Sequence, residues 1–254
     1  LKEIQKEYGR ERRTALDTVA QAVVEEKPIE ETDVAVLIDR FSYGRCVDMS
    51  VFERNREAAE SECKRIIFCK NTDKLAIFTN TGQMHLVKVL DLPQGKFRDK
   101  GQPLDNVSNF DSGSEREIYI EALGNLKEKK LIFGTKTGML KVVAGSEFIV
   151  GKRTTAATKL AEGDELLTVA PLEEEETLVM QTAGNVFLRI DAATIPEKKK
   201  GAVGVRGIRL ETGDLLEEIH VLRPGDNPTV TVKGKTVYLN RLHIGNRDTK
   251  GVKK

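Results

Sequence analysis

The densest grouping of chemistry-bearing side chains is a basic run, Lys198, Lys199 and Lys200, followed by three glycines at spacing three: Gly201, Gly204 and Gly207. Arg206 and Arg209 lie among them, so residues 196–209 carry five cations against one acid. Cations beside side-chain-free backbone suit an anionic partner, because glycine lets a ligand approach the main chain closely. The glycine spacing is not a dinucleotide fingerprint, which needs a strand, then the glycines, then a helix. Here the glycines read as turns. The classes of covalent chemistry find little else. His85, His220 and His243 are scattered and suggest no Ser/His/Asp or Cys/His grouping. Cys46, Cys63 and Cys69 fit no zinc spacing and read as apolar fillers in a reducing compartment. No metal site and no catalytic residue is expected in this chain.

The elements that must position these cations recur along the chain. An apolar run, a glycine-containing turn and a second apolar run appear five times, at 34–47, 75–89, 131–143, 178–190 and 230–239. This is the pattern of a β-hairpin. The glycines assigned to the turns are Gly44, Gly82, Gly138, Gly184 and Gly234, with steps of 38, 56, 46 and 50 residues. Four copies also have a strand-like run 15 to 18 residues before the glycine, so one unit amounts to about four short strands. Units of this length and content indicate blades arranged radially, each needing a neighbour to bury its faces. The expected fold is all-β: a propeller-like disc of about five four-stranded blades at 32–254, preceded by a short helical segment and linker at 1–31. An ordinary β-sandwich with chance similarity among its hairpins is the competing architecture.

Net charge is only +1, from 41 basic and 40 acidic groups, but it is unevenly placed. Residues 229–254 carry seven cations and one acid, whereas 171–195 carry one cation and five acids, including the run 173–176. Such alternation fits a disc with one basic rim and an acidic surface elsewhere. The acidic run reads as a solvated hairpin loop. No apolar run approaches the ~20 residues of a membrane span. The chain begins Leu1-Lys2-Glu3 and reads as a piece of a longer protein.

The residues also carry a resemblance. LKEIQKEYGRERRTAL at 1–16 resembles the end of the helical arm of type IIA topoisomerase A subunits, those of bacterial gyrase and topoisomerase IV. LAIFTNTGQMHLVKVLDLP, LIFGTKTGMLKVV and KKKGAVGVRGIRL resemble the blades and glycine-rich connections of their C-terminal domain. The resemblance spans nearly the whole chain. It implies a β-pinwheel, in which blades exchange strands and duplex DNA lies around a basic outer rim. It implies that the strand-cutting tyrosine lies upstream of Leu1. It further implies a parent that is an ATP- and Mg2+-dependent type II topoisomerase, cytoplasmic and not membrane-bound. The implied partners are an A-subunit dimer and an ATPase B subunit. Gyrase A subunits carry a glutamine-arginine-arginine-glycine-glycine box after the first hairpin. The matching place here reads Arg54-Asn55-Arg56-Glu57-Ala58-Ala59. With five units in place of six, that favours topoisomerase IV over a gyrase with a degenerate box. A propeller scaffold that binds proteins is a third reading, thinly supported at 5% aromatics and no tryptophan.

On this resemblance the cations expected to contact phosphates, without reading bases, fall into three sets. Arg45, Lys141 and Arg189 follow hairpin turns. Lys152, Arg153, Lys198, Lys199, Lys200, Arg206 and Arg209 lie on connections between blades. Lys235, Arg241 and Arg247 belong to the final unit. Backbone N–H groups at Gly201, Gly204 and Gly207 are expected to approach phosphates as well.

Overall fold

The computed structural model describes residues 29–254 and, before them, Ile4 alone. The expected helical segment and linker at 1–31 lie almost wholly outside the described residues. Glu31–Lys254 form one compact unit.

All five hairpins are present: Asp33–Asp39 with Tyr43–Asp48, Lys74–Thr79 with Gln83–Lys88, Lys130–Thr135 with Met139–Ala144, Thr177–Thr182 with Val186–Asp191, and Thr229–Val232 with Lys235–Tyr238. We number the blades 1 to 5 in this order. A tight turn needs a residue in the left-handed region. Gly82, Gly138 and Gly234 supply it, with φ of 76°, 83° and 78°. In blades 1 and 4 the expected glycines do not. Ser42 and Asn185, each at φ 60°, take the turn instead, and Gly44 sits within its strand.

A third strand pairs antiparallel with the first strand of each of blades 1 to 4: Cys63–Lys70, Glu117–Ala122, Leu166–Leu172 and Leu216–Leu222. These are the runs that sequence spacing groups with the following hairpin. Each closes the sheet of the preceding one. Spacing along the chain says which segments are neighbours, not which hairpin receives their hydrogen bonds. A fourth, short strand arrives from beyond the next hairpin. Gln102–Pro103 completes blade 1, Thr154–Ala156 blade 2 and Val205–Arg206 blade 3. Ile244–Gly245, with Val252–Lys253, completes blade 4. Blades thus exchange strands, and the fifth has two strands among the described residues.

The third strands of blades 1 to 4 touch one another in succession. They therefore form the converging inner edges, and the fourth strands lie on the opposite, outer edges. This is a radial arrangement.

Period-two alternation builds the cores between blades. Val34, Val36 and Ile38 face Leu75, Ile77 and Val87 of blade 2. The next residues along, Ala76 and Phe78, face Leu131, Phe133 and Val143 of blade 3. Ile132 and Val142 then meet Leu178, Met180 and Ile190 of blade 4. Val179 and Phe187 meet Val232 and Leu239 of blade 5. Phe78, Phe133 and Phe148 form an aromatic knot between blades 2 and 3, with ring centroids 5.1 to 5.9 Å apart. Each such buried ring contributes on the order of 1.5–3 kcal/mol.

The two ends of the fan differ. The outward face of blade 1, Ala35 and Leu37, is covered by Phe52 and Ala59 from two short helices, Met49–Arg54 and Arg56–Glu62. These helices occupy the place matched to the gyrase box. On blade 5, Thr229, Thr231, Thr236 and Tyr238 face outward and are exposed.

Candidate functional site

The connection to each outer strand is short and carries exposed cations. In blade 1 it runs through Lys96, Arg98 and Lys100; in blade 2 through Lys152 and Arg153. In blade 3 it holds Lys199 and Arg206, and around blade 4 it holds Arg241 and Lys250. Equivalent strands place these residues, so the cations recur on successive outer edges. A row of that kind matches an extended polyanion laid across the edges and not a small ligand in one pocket.

Lys96, Arg98 and Lys100 are not among the cations the sequence singles out. The signal was available: QGKFRDKGQ, like VGKRTT and EKKKGAVGVRG, stands between a hairpin and a short strand. Phe97 between them is buried, which fixes the loop to the blade while its neighbours stay in solvent.

The three cations expected after the hairpin turns behave otherwise. Lys141 is 2% exposed and cannot reach a phosphate. Its Nζ donates to the carbonyls of Lys200 and Ala202, the latter at 2.8 Å, and lies 5.6 Å from the centre of the Phe133 ring. Burial pushes its ammonium down to about 8; nearby Glu147 opposes that shift and Lys198 adds to it. Arg189 is half-buried and donates to Thr177 Oγ1 at 3.0 Å and to the carbonyls of Asn240 and Leu242. Arg45 is half-buried and stacks over Phe97 at 5.3 Å. All three are spent within the protein, because a strand's central residues face what covers the sheet and not solvent: a neighbouring blade for Lys141 and Arg189, and Phe97 for Arg45.

Blade 2 carries His85 at the position of Arg45 and Lys141. It is a buried strand residue, with Nε2 donating to Glu115 at 2.7 Å and Nδ1 3.1 Å from the Thr154 hydroxyl. In each of the four blades, then, one polar side chain on the hairpin's second strand grips the connection that completes the same sheet.

The other expected cations divide by exposure. Lys152, Arg153, Lys199, Arg206, Arg209, Lys235 and Arg241 are exposed. Lys198 and Lys200 are half-buried: Lys198 Nζ donates to the Val203 carbonyl, and Lys200 Nζ to the Glu147 carbonyl at 3.0 Å. Arg247 is half-buried and donates to the Arg206 carbonyl at 3.0 Å. Asp248 lies 3.5 Å from Arg206 and 3.7 Å from Arg209, pairs exposed enough to exchange for another anion. Arg241 stacks on Tyr238 at 4.3 Å.

Two of the three glycines serve closure of the sheet. A Cβ on Gly204 would lie 2.6 Å from the Leu140 carbonyl oxygen, and one on Gly207 would lie 2.5 Å from the Leu140 side chain. Gly201 has open space around it. Gly101 and Gly251 likewise press on backbone, 2.9 Å from Gly44 O and 2.5 Å from Phe187 O by the same measure. Glycine is required wherever an outer strand crosses its hairpin this closely.

The acidic run is also more than a solvated loop. Glu176 is 2% exposed and accepts from the Glu173 amide at 2.8 Å and from Arg223 Nε at 3.2 Å. Burial raises the thiols, Cys46 to about 11 and Cys69 to about 12, and all three cysteines are free. Among the described residues no helix is long and apolar enough to cross a membrane.

Comparison with known proteins follows the same geometry. The family model described as DNA gyrase C-terminal domain, beta-propeller, matches residues 129–173 and 176–223. Each matched block is one hairpin plus the third strand that closes it, blades 3 and 4 in turn. The DNA gyrase A protein of Lawsonia intracellularis is 26% identical across 98% of this chain, and that of Staphylococcus epidermidis 24% across all of it. The chain spans about a third of the length of these relatives: 33% and 30%. Among solved structures, the C-terminal domain of DNA topoisomerase IV superposes with a TM-score of 0.76 at 20% identity, over 88% of this chain and 73% of that one. The E. coli ParC C-terminal domain gives 0.69 at 18%, over 88% and 94%. The DNA gyrase A C-terminal domain gives 0.58 at 15%, over 87% and 76%. Strand-exchanged blades and these likenesses give the chain the fold of the gyrase A and topoisomerase IV C-terminal domains, and its blades 3 and 4 match the gyrase C-terminal β-propeller model.

Proposed function

We propose that this domain binds duplex DNA along its outer edges and bends it, presenting the duplex to the cleavage core of a type IIA topoisomerase. The observation that carries the reading is the recurrence of exposed cations on the connections to the fourth strands of four successive blades. A duplex is a line of phosphates, and bending it calls for cations spread over a convex edge. Bending a ~20–30 bp site by 40–90° costs on the order of 1–6 kcal/mol. Several phosphate contacts offset that. The phosphate-contacting set is Lys96, Arg98, Lys100, Lys152, Arg153, Lys199, Arg206, Arg209, Lys235 and Arg241. The parent would use ATP and Mg2+, pair as an A-subunit dimer with an ATPase B subunit, and work in the cytoplasm.

Helices where the gyrase box would stand, and five hairpins, favour a topoisomerase IV-type domain that bends without full wrapping. The gyrase A names of the curated relatives favour the gyrase reading. Anisotropy of a labelled duplex titrated with the domain at increasing salt tests binding. Affinity unchanged from low to moderate salt would sink it. Linking number after ligation of nicked plasmid separates the two modes: a large shift of one sign per bound domain means wrapping, a small one bending.

A further inference from the structure

We infer that Lys141, and with it Arg45, His85 and Arg189, are positioning residues for DNA binding, holding the cation-bearing connections at the outer edge. The inference rests on the DNA-binding reading above. Lys141 shows the reason most clearly. Its ammonium is buried against Phe133, with Glu147, Lys198 and Lys200 around it and Asp164 and Lys159 lining the adjoining cleft. As a stabiliser this is a poor choice, since an apolar side chain of the same length fills the space without desolvating a charge. What the ammonium adds is two donors fixed on the carbonyls of residues 200 and 202, on either side of Gly201. Gly201 has open space where a side chain would be, and the turn around it is closed by the Ala202 amide on the Lys199 carbonyl at 3.0 Å. With the flanking carbonyls held, Lys199 and Arg206 keep a fixed spacing across the loop. Released, the loop still carries its charge but no longer presents it in register with the neighbouring edges.

The same logic recurs with different chemistry. His85 reaches Thr154, next to Lys152 and Arg153. Arg45 covers Phe97, between Lys96 and Arg98. Arg189 takes the carbonyls on either side of Arg241. Arg45, His85 and Lys141 each stand three residues after the left-handed turn residue of their hairpin, opposite Leu37, Ile77 and Phe133; Arg189 reaches its own connection from one residue further on, opposite Val179 and on the other face of its sheet.

The test is a double-mutant cycle in the whole domain, with a 40-bp labelled duplex as probe. Lys141→Met is expected to leave the urea midpoint equal to the parent's or higher. It should weaken DNA binding about eightfold at ~0.1 M salt and make the salt slope shallower by about 0.9, as one phosphate goes unneutralised. In a Lys199→Ala/Arg206→Ala background it should cost nothing further. The inference is overturned if Lys141→Met binds like the parent, or if it weakens binding by the same factor in both backgrounds. If Lys199→Ala/Arg206→Ala itself binds like the parent, the DNA reading fails at this connection. If that pair weakens binding and Lys141→Met does not, positioning alone fails. Should Lys141→Met lower the urea midpoint, Arg189→Lys against Arg241→Ala makes the same comparison in blade 4. Coupling there supports the inference and additivity overturns it.

Discussion

Neutralising the first connection gives the most direct measure of DNA contact. Lys96, Arg98 and Lys100 are exposed, and none takes part in an ion pair among the described residues. The loop is anchored by buried Phe97 and by the Asp99 carboxylate, which accepts from the Lys96 amide at 2.7 Å. Replacing the three with alanine should therefore leave the fold and its urea midpoint unchanged. Each phosphate contact contributes about 0.9 to the slope of log K against log salt. Without all three the slope becomes shallower by about 2.7. At ~0.1 M salt the same term weakens binding by up to about 500-fold, and by less if only one or two of the three touch the duplex. Anisotropy titrations from ~50 to ~200 mM salt read both quantities. A triple variant with the parent's slope and affinity would refute the reasoning, because these are the least encumbered cations on the outer edge.

Three further outcomes follow from the same geometry. Gly204→Ala should destabilise the domain by about 1–3 kcal/mol in urea, since the new Cβ meets the Leu140 carbonyl and backbone cannot yield cheaply, while Gly201→Ala should change stability by less than about 0.5 kcal/mol. Phe148→Ala, at the knot between blades 2 and 3, should cost about 3–5 kcal/mol, and an unchanged midpoint would mean the blades do not share that core. Lys141 has a folded-state value lowered from 10.5 to about 8, so below pH 8 both states hold the proton and the burial penalty is fully present. Its contribution to stability rises between about pH 8 and 10.5, by up to roughly 3 kcal/mol at 1.36 kcal/mol per pH unit. The stability difference between the parent and Lys141→Met, measured at pH 7.5 and pH 10, should shift toward the parent by that order; no shift would show that the ammonium is not desolvated.

Much of the molecule was legible in its order of residues. Hairpins declare themselves locally, because apolar alternation and turn residues act over a few positions. The five units and the radial class came from that alone; the basic connection at 198–209 was read from its charge, and 152–153 from the resemblance to a known family. Sequence could not assign the third strands to a hairpin, since spacing is symmetric with respect to the units before and after. Nor could it tell a presented cation from a captured one. Arg45, Lys141 and Arg189 look like Lys152 or Lys199 in one dimension. Whether such a side chain meets solvent or a carbonyl depends on which segment the strand exchange lays across it. The chain itself determined repeated sheets and a surplus of cations at their connections, through short-range pattern and charge. Only the packing of one blade's connection over another's hairpin decided which cations are free, because exposure belongs to contacts between segments tens of residues apart.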